Sequence, residues 1–175
     1  MSWTILHTCG LLILAAASGC ATGTEPTPIR DESAPFQTSA LRYIFADDGT
    51  LWVADIPLTY LNTRSSAVRI DYCGTAVERR EGGTWKSVLS YPCPTASGAT
   101  TDSIAPGAQV PFVYSIRSAH APNTYPRIPS PLAGVYRIVF VIRERRMPSP
   151  DLIVWEAVPS IDARRSNEFA LALPP

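Results

Sequence analysis

No Asp, Glu, Lys or Arg occurs before Glu25, and beyond it 15 acidic and 15 basic residues cancel to a formal net charge of zero. A chain without excess charge has no long-range field with which to capture nucleic acid or an acidic membrane face. Lysine is nearly missing: 14 of the basic residues are arginine and only Lys86 is lysine. Histidine is almost as scarce, with His7 near the start and His120 far along the chain. One late histidine cannot build a histidine-rich metal site, which needs several ligands at close spacing. Nor does any G-x-S-x-G elbow or other nucleophile context accompany His120. The apolar run of the uncharged start, Leu11–Ala17, is too short to cross a bilayer comfortably as a permanent helix, which takes about 20 residues. No internal repeat is visible. No long segment repeats its apolar residues at three and four, as an amphipathic helix would.

What is there instead is alternation. Val68, Ile70 and Tyr72 alternate with Arg69 and Asp71, and Phe112, Tyr114 and Ile116 with Val113, Ser115 and Arg117. Tyr136, Ile138, Phe140 and Ile142 form a third such run, and Phe169, Leu171 and Leu173 a fourth. A period of two in β-branched and aromatic residues predicts half-buried strands. Turn chemistry separates them. Asp47-Asp48-Gly49 predicts a hairpin between Leu41–Phe45 and Leu51–Val53; Glu81-Gly82-Gly83-Thr84 predicts another between Ala76–Arg80 and Trp85–Leu89. Pro106-Gly107 precedes the strand at Gln109–Arg117, and the 17 prolines fall mostly between runs. With 46% apolar residues the chain can bury a core. The expected fold is all-β, a single antiparallel β-sandwich.

The first 20 residues are different in kind. Leu11–Ala17 is apolar, and Ala15-Ala16-Ala17-Ser18-Gly19 are small. A short apolar segment ending in small residues is the pattern of a secretory signal peptide. Ala17-Ser18-Gly19-Cys20 resembles the bacterial lipobox. In that family the chain is cut before the cysteine, whose thiol carries diacylglycerol and whose new amine is acylated. The arginine-rich, Ala- and Pro-rich composition agrees with GC-rich bacterial coding. The resemblance implies a signal peptide over 1–19, lipid attachment at Cys20, and a protein anchored to a membrane of the cell envelope. In a host with two membranes, Ala21 after the anchor cysteine implies the outer one. Ala21-Thr22-Gly23-Thr24-Glu25-Pro26-Thr27-Pro28 is small, polar and proline-punctuated, so a flexible tether is expected over 20–36 and the folded domain over 37–175. The alternative is a plain signal peptide cut near Ala17 or Ala21.

Export decides how the remaining cysteines are read. With Cys9 in the leader and Cys20 as anchor, Cys73 and Cys93 are the thiols of the folded part. In an oxidising compartment an isolated pair bridges. Their disulfide would close a loop of about 20 residues, worth roughly 3 kcal/mol in the chain-entropy picture. A metal site would need further ligands nearby, and a redox pair the spacing C-x-x-C.

Leu132-Ala133-Gly134-Val135-Tyr136-Arg137-Ile138 resembles the tyrosine corner of immunoglobulin-like sandwiches, a turn entering a late strand with Tyr two residues into it. Asn62, Ala76-Val77-Glu78-Arg79-Arg80, Gly82-Gly83-Thr84-Trp85, Ile104-Ala105-Pro106-Gly107, Gly134-Val135-Tyr136-Arg137 and Ser166-Asn167-Glu168-Phe169 follow in that order. Together, over about 58–173, they resemble a bacterial Ig-like domain family. The family implies an Ig-like sandwich and no common catalytic residues.

Several segments are candidates for chemistry or contact. His120, in Ser118-Ala119-His120-Ala121-Pro122, would need a serine and an acid to form a triad. Asp47-Asp48-Gly49 lacks the alternating acids of a calcium loop. Arg143-Glu144-Arg145-Arg146 and Arg164-Arg165 flank an insertion over 147–165; if it folds as a hairpin, the two clusters would form a basic spot for a phosphate-bearing lipid or lipopolysaccharide. Pro122–Pro131 carries four prolines within P-N-T-Y-P-R-I-P-S-P and predicts an extended course that would present Tyr125, Arg127 and Ile128. Trp52, Trp85 and Trp155 either pack or line a ligand surface. The expected function is a non-enzymatic interaction or scaffolding module of the envelope, without cofactor or metal. Its partner would be another envelope protein, met by a surface or an edge strand, with no nucleic acid. The alternative is a protease inhibitor or secreted binding protein using the loop 120–132.

Overall fold

The computed structural model describes residues 27–91 and 100–175. Among them are ten strands and no helix: β1 (Phe36–Thr38), β2 (Arg42–Ile44), β3 (Ala46–Asp47), β4 (Leu51–Leu61), β5 (Val68–Glu81), β6 (Thr84–Ser90), β7 (Gln109–Ala119), β8 (Gly134–Ser149), β9 (Leu152–Ala157) and β10 (Phe169–Ala172). They build two sheets packed as a sandwich. In the smaller sheet β4 pairs along its length with β7 on one side, and on the other with β1 and β3 in succession. The larger sheet runs β2-β10-β8-β5-β6, with β9 joined to the far end of β8. Every pair of strands is antiparallel except β2 and β10.

The alternating runs supply the core. Ile56, Tyr60 and Ile116 face inward from the smaller sheet and Tyr136, Ile138, Phe140 and Ile142 from the larger, all essentially inaccessible to water. Phe36 stacks on Phe140 at 4.2 Å and lies 4.5 Å from Tyr60, while Phe112 and Tyr114 meet Phe140 edge-on at 5.5 and 5.6 Å. These rings knit the two sheets together, each adding roughly 1 kcal/mol beyond its buried area. On β8 the intervening Val135 and Val139 are buried as well, because this strand is flanked by β5 on one side and by β10 and the 158–166 segment on the other. Leu173 lies past the end of β10 and is exposed.

Both predicted turns form, with one change of partner. Gly82 and Gly83 take φ of +56° and +81°, as a two-residue hairpin with the favoured twist requires. At the first hairpin, Asp48 Oδ1 accepts the N–H groups of Thr50 and Leu51, and these bonds lower the Asp48 carboxyl pKa. The arm that pairs with β4 across this turn is β3, however, and not Leu41–Phe45. β2 joins β10 in the other sheet, and the chain crosses between sheets at Phe45, which is 1% exposed and donates its N–H to the Ala172 carbonyl. A large apolar side chain at that step lodges in the core, so the strand cannot continue in one sheet.

Tyr136 Oη donates to the Leu132 carbonyl at 2.5 Å, four residues upstream. A tyrosine corner makes a bond of this kind, from the hydroxyl back to a carbonyl a few residues upstream. The chain ahead of β1 is also held. Arg80 donates to the Thr27 carbonyl, Ile29 N–H donates to Glu168 Oε2, and Arg165 pairs with Asp31 at 2.7 Å. The part of the expected tether from Thr27 onward therefore lies against the domain; the part over 20–26, with Cys20, lies outside the described residues.

Candidate interaction surfaces

The outer edge of β7 is only partly guarded. Arg117 N–H and Ala119 N–H point away from β4, to the Tyr91 hydroxyl and the Pro126 carbonyl. By the strand's period of two, the N–H groups of Val113 and Ser115 point the same way, and among the described residues no strand pairs them. Pro111 sits on this edge where it costs no ladder bond. Val113 is 57% exposed, beside the exposed Pro57, Leu61 and Pro111 on the outer face. The edge strand of the other sheet, β6, carries Lys86, paired with Glu81; a charge there discourages pairing with another chain.

The proline-rich loop folds back instead of standing out. Ile128 is 1% exposed and donates its N–H to Ser118 Oγ. Arg127 is half-buried, and Tyr125 Oη donates to the Ser90 carbonyl. Arg79, itself 5% exposed, donates to the carbonyls of Pro129 and Pro131 and pairs with Glu81. Of the three side chains expected to be presented, Tyr125 alone is exposed. The prolines remove donors but leave carbonyls, and Arg79 collects them; nothing in the loop's own sequence names that partner.

His120 Nε2 lies 3.3 Å from Asp47 Oδ1, and its ring packs 4.8 Å from Trp52. This pair closes the β3–β4 hairpin against the end of β7. Among the described residues no serine, threonine or cysteine side chain hydrogen-bonds the imidazole. Among the described residues, no three His, Cys, Asp or Glu side chains gather as a metal site requires. The three tryptophans are half-buried in three separate places: Trp52 on His120, Trp85 under Arg137, and Trp155 under Arg69.

The insertion does begin as a hairpin, β8 into β9, and the segment then returns along β8. The two arginine clusters are not brought together. Arg165 faces Val139 and pairs with Asp31 and Asp162; Arg164 donates to the carbonyls of Pro159, Ser160 and Phe140. The other cluster begins four residues further along β8, roughly 13 Å away at about 3.3 Å per residue. Its charges are divided between the two faces of the hairpin. On one face, Glu144 is 5% exposed and accepts from Arg64 at 2.7 Å, from the Ser66 hydroxyl and from Arg146 at 3.1 Å. The Arg64 and Ser66 hydrogen bonds hold its carboxyl down to about 2. Glu156 lies opposite Glu144 and pairs with Arg146. The other face carries Arg69 opposite Arg143, and Arg145 opposite Trp155. The Arg69 guanidinium reaches across β8 to lie 4.3 Å from the Trp155 ring centroid. Arg69 was visible in the sequence as an outward strand residue, but its neighbours across two strands were not.

Cys73 lies in the irregular stretch between Asp71 and Ala76, where β5 slips its register against β8. Gly74 N–H donates to the Tyr91 carbonyl, and Thr100 bridges Asp71. Tyr91 and Thr100 are thereby held close to Cys73 along the chain; Cys93 lies outside the described residues. No protein-family model matches the chain, and no curated protein is similar to it.

Proposed function

We propose that this protein is a non-enzymatic interaction module of the bacterial cell envelope, lipid-anchored through Cys20. It presents one Ig-like sandwich whose β7 edge adds to a strand of another envelope protein. The observation that carries the reading is that no strand among the described residues pairs the outer edge of β7 at Val113 and Ser115, where the Tyr91 hydroxyl donates to the Ser115 carbonyl at 3.5 Å, set beside the uncharged, exposed Pro57, Leu61, Pro111 and Val113. Main-chain groups of that edge supply affinity, and the flanking apolar side chains supply selectivity. The tyrosine-corner bond and the parallel β2–β10 pair support the Ig-like assignment. The inhibitor reading is left with Tyr125, since Ile128 is packed under its own loop.

The edge is tested with Val113→Pro. The Val113 N–H is not used within the sheet, so the substitution should leave the melting temperature nearly unchanged while removing a donor from the edge. A photo-crosslinker placed at position 115 should capture one envelope protein in the wild-type background and lose it in the variant. Capture that survives Val113→Pro rules out edge pairing.

The anchor and the Cys73–Cys93 bridge are tested together by the intact mass of the protein from its native membrane, without reductant. The expected species starts at Cys20, carries added acyl mass and lacks two thiol hydrogens. An unmodified chain cut elsewhere overturns the anchor. A chain with both thiols overturns the bridge.

A further inference from the structure

The outer face of the larger sheet, where β8 runs into β9, concentrates positive charge that the fold does not neutralise. Arg69 and Arg143 are direct cross-strand partners, and Arg145 follows two residues after Arg143 on the same face. Like charges directly opposite destabilise a sheet. Asp71, 8% exposed, is the acid on this face, and it pairs with Arg143 at 3.4 Å. Asp102, on the segment beside β5, is exposed and forms no ion pair with any of the three. Glu144 and Glu156 are turned to the opposite face, where Arg64 and Arg146 engage them. Among the described residues Arg69 and Arg145 thus have no acidic partner, and the Nε–H of each is buried without an acceptor. Arg69 is stacked on the Trp155 indole, and Arg145 is the backbone partner of Trp155 across the β8–β9 ladder, with a terminal nitrogen donating to Met147 Sδ at 3.7 Å.

We propose that Arg69, Arg143 and Arg145, on the floor made by Trp155, form a binding site for a phosphate-type dianion. Two uncompensated charges match a dianion better than a single carboxylate. Planar guanidinium forks suit the several oxygens of a phosphoryl group. Stacking on the indole fixes the plane of the Arg69 guanidinium. The site lies six to eight residues along β8 from Arg137, which borders the groove holding Arg30–Ser33. That is roughly 20–25 Å along the strand, so the ligand is met at the end of the sandwich away from the N-terminal segment. The site is independent of the β7 edge and of the anchor, and its failure would leave both readings standing.

The test uses the full chain carrying Cys20→Ser, so that no lipid confuses the measurement. Inorganic phosphate, acetate, and phosphatidylcholine vesicles with and without phosphatidic acid are the probes, read by titration calorimetry and vesicle sedimentation. Phosphate is expected to bind more tightly than acetate, and molar sodium chloride to abolish the binding. Arg69→Met and Arg145→Met should each weaken it about tenfold or more. Arg117→Met, on the exposed part of β7, should not change it. Arg145→Met keeps the Arg69–Trp155 stack, so its loss of binding cannot come from unstacking. Phosphate binding without vesicle binding assigns a soluble or polymer-borne phosphoryl group; Arg69- and Arg145-dependent binding to phosphatidic-acid vesicles assigns a lipid headgroup. Failure of both probes, or equal losses from Arg117→Met, overturns the site.

Discussion

Phe140→Ala is expected to lower the unfolding free energy of the domain by about 4 kcal/mol. Phe140 is fully buried on β8, and four aromatic rings from the other sheet close around it: Phe36 stacked, and Phe112 and Tyr114 edge-on, with Tyr60 behind Phe36. Truncation removes the transfer energy of the ring and leaves a cavity between two hydrogen-bonded sheets. Neither sheet can collapse into it without breaking ladder bonds. The loss is a large share of the 5–15 kcal/mol that usually separates a folded domain from its unfolded chain. Urea denaturation should show a lower midpoint at an unchanged slope, and the melting temperature should fall by about 10 °C. A loss below about 1 kcal/mol would mean that the two sheets do not meet at this residue.

Glu144→Gln should cost about 2–3 kcal/mol at neutral pH and should flatten the acid limb of the stability curve. Its carboxyl is held at about 2, against an ordinary 4.5, by the Arg64 and Ser66 hydrogen bonds. A depressed acid stabilises the fold fully above its unfolded pKa and loses that contribution as pH falls through the folded one. The Glu144 contribution is therefore complete above about pH 5 and disappears between there and about pH 2. Arg146 is about half exposed and opens the cluster to water, so the stabilisation falls short of a fully enclosed pair. Asp31 and Glu81 are also lowered and contribute to acid sensitivity in both proteins, so the difference between wild type and variant isolates Glu144. Urea midpoints at pH 7 and pH 3 provide the check: the gap between the two proteins should narrow markedly on acidification. A gap that stays constant would show that Glu144 is not ionised in the fold.

The strands were legible because alternation is a local signal. Tyr136, Ile138, Phe140 and Ile142 had to face one way once the segment was extended, and they do. The turns at Asp48 and Gly82-Gly83 were legible for the same reason, since φ and side-chain-to-backbone bonding are settled within four residues. Partners were not. Leu41–Phe45 looks like the first half of a hairpin, but Phe45 takes the chain across the core and gives β2 to a different sheet. Arg127 and Ile128 looked exposed in a proline-rich loop, but Arg79, some 50 residues earlier, gathers the loop's carbonyls and packs Ile128 beneath it.

The arginines show the same division. Arg143–Arg146 and Arg164-Arg165 are adjacent to an insertion in sequence, and a hairpin would have joined them. The chain instead returns along β8, leaving Arg165 with Asp31 and Asp162 and giving Arg145 a place beside Arg69. By itself the sequence determined that this chain is all-β, where its main alternating strands and two of its turns fall, and which residues of those strands face the core, because those properties follow from the chemistry of neighbouring residues. The tertiary structure alone decided which edge of β7 stays open, which acids each arginine meets, and that Arg69 lies over Trp155. Those depend on sheet order and register, which bring together residues as much as 139 positions apart, as in the bond from Ile29 to Glu168.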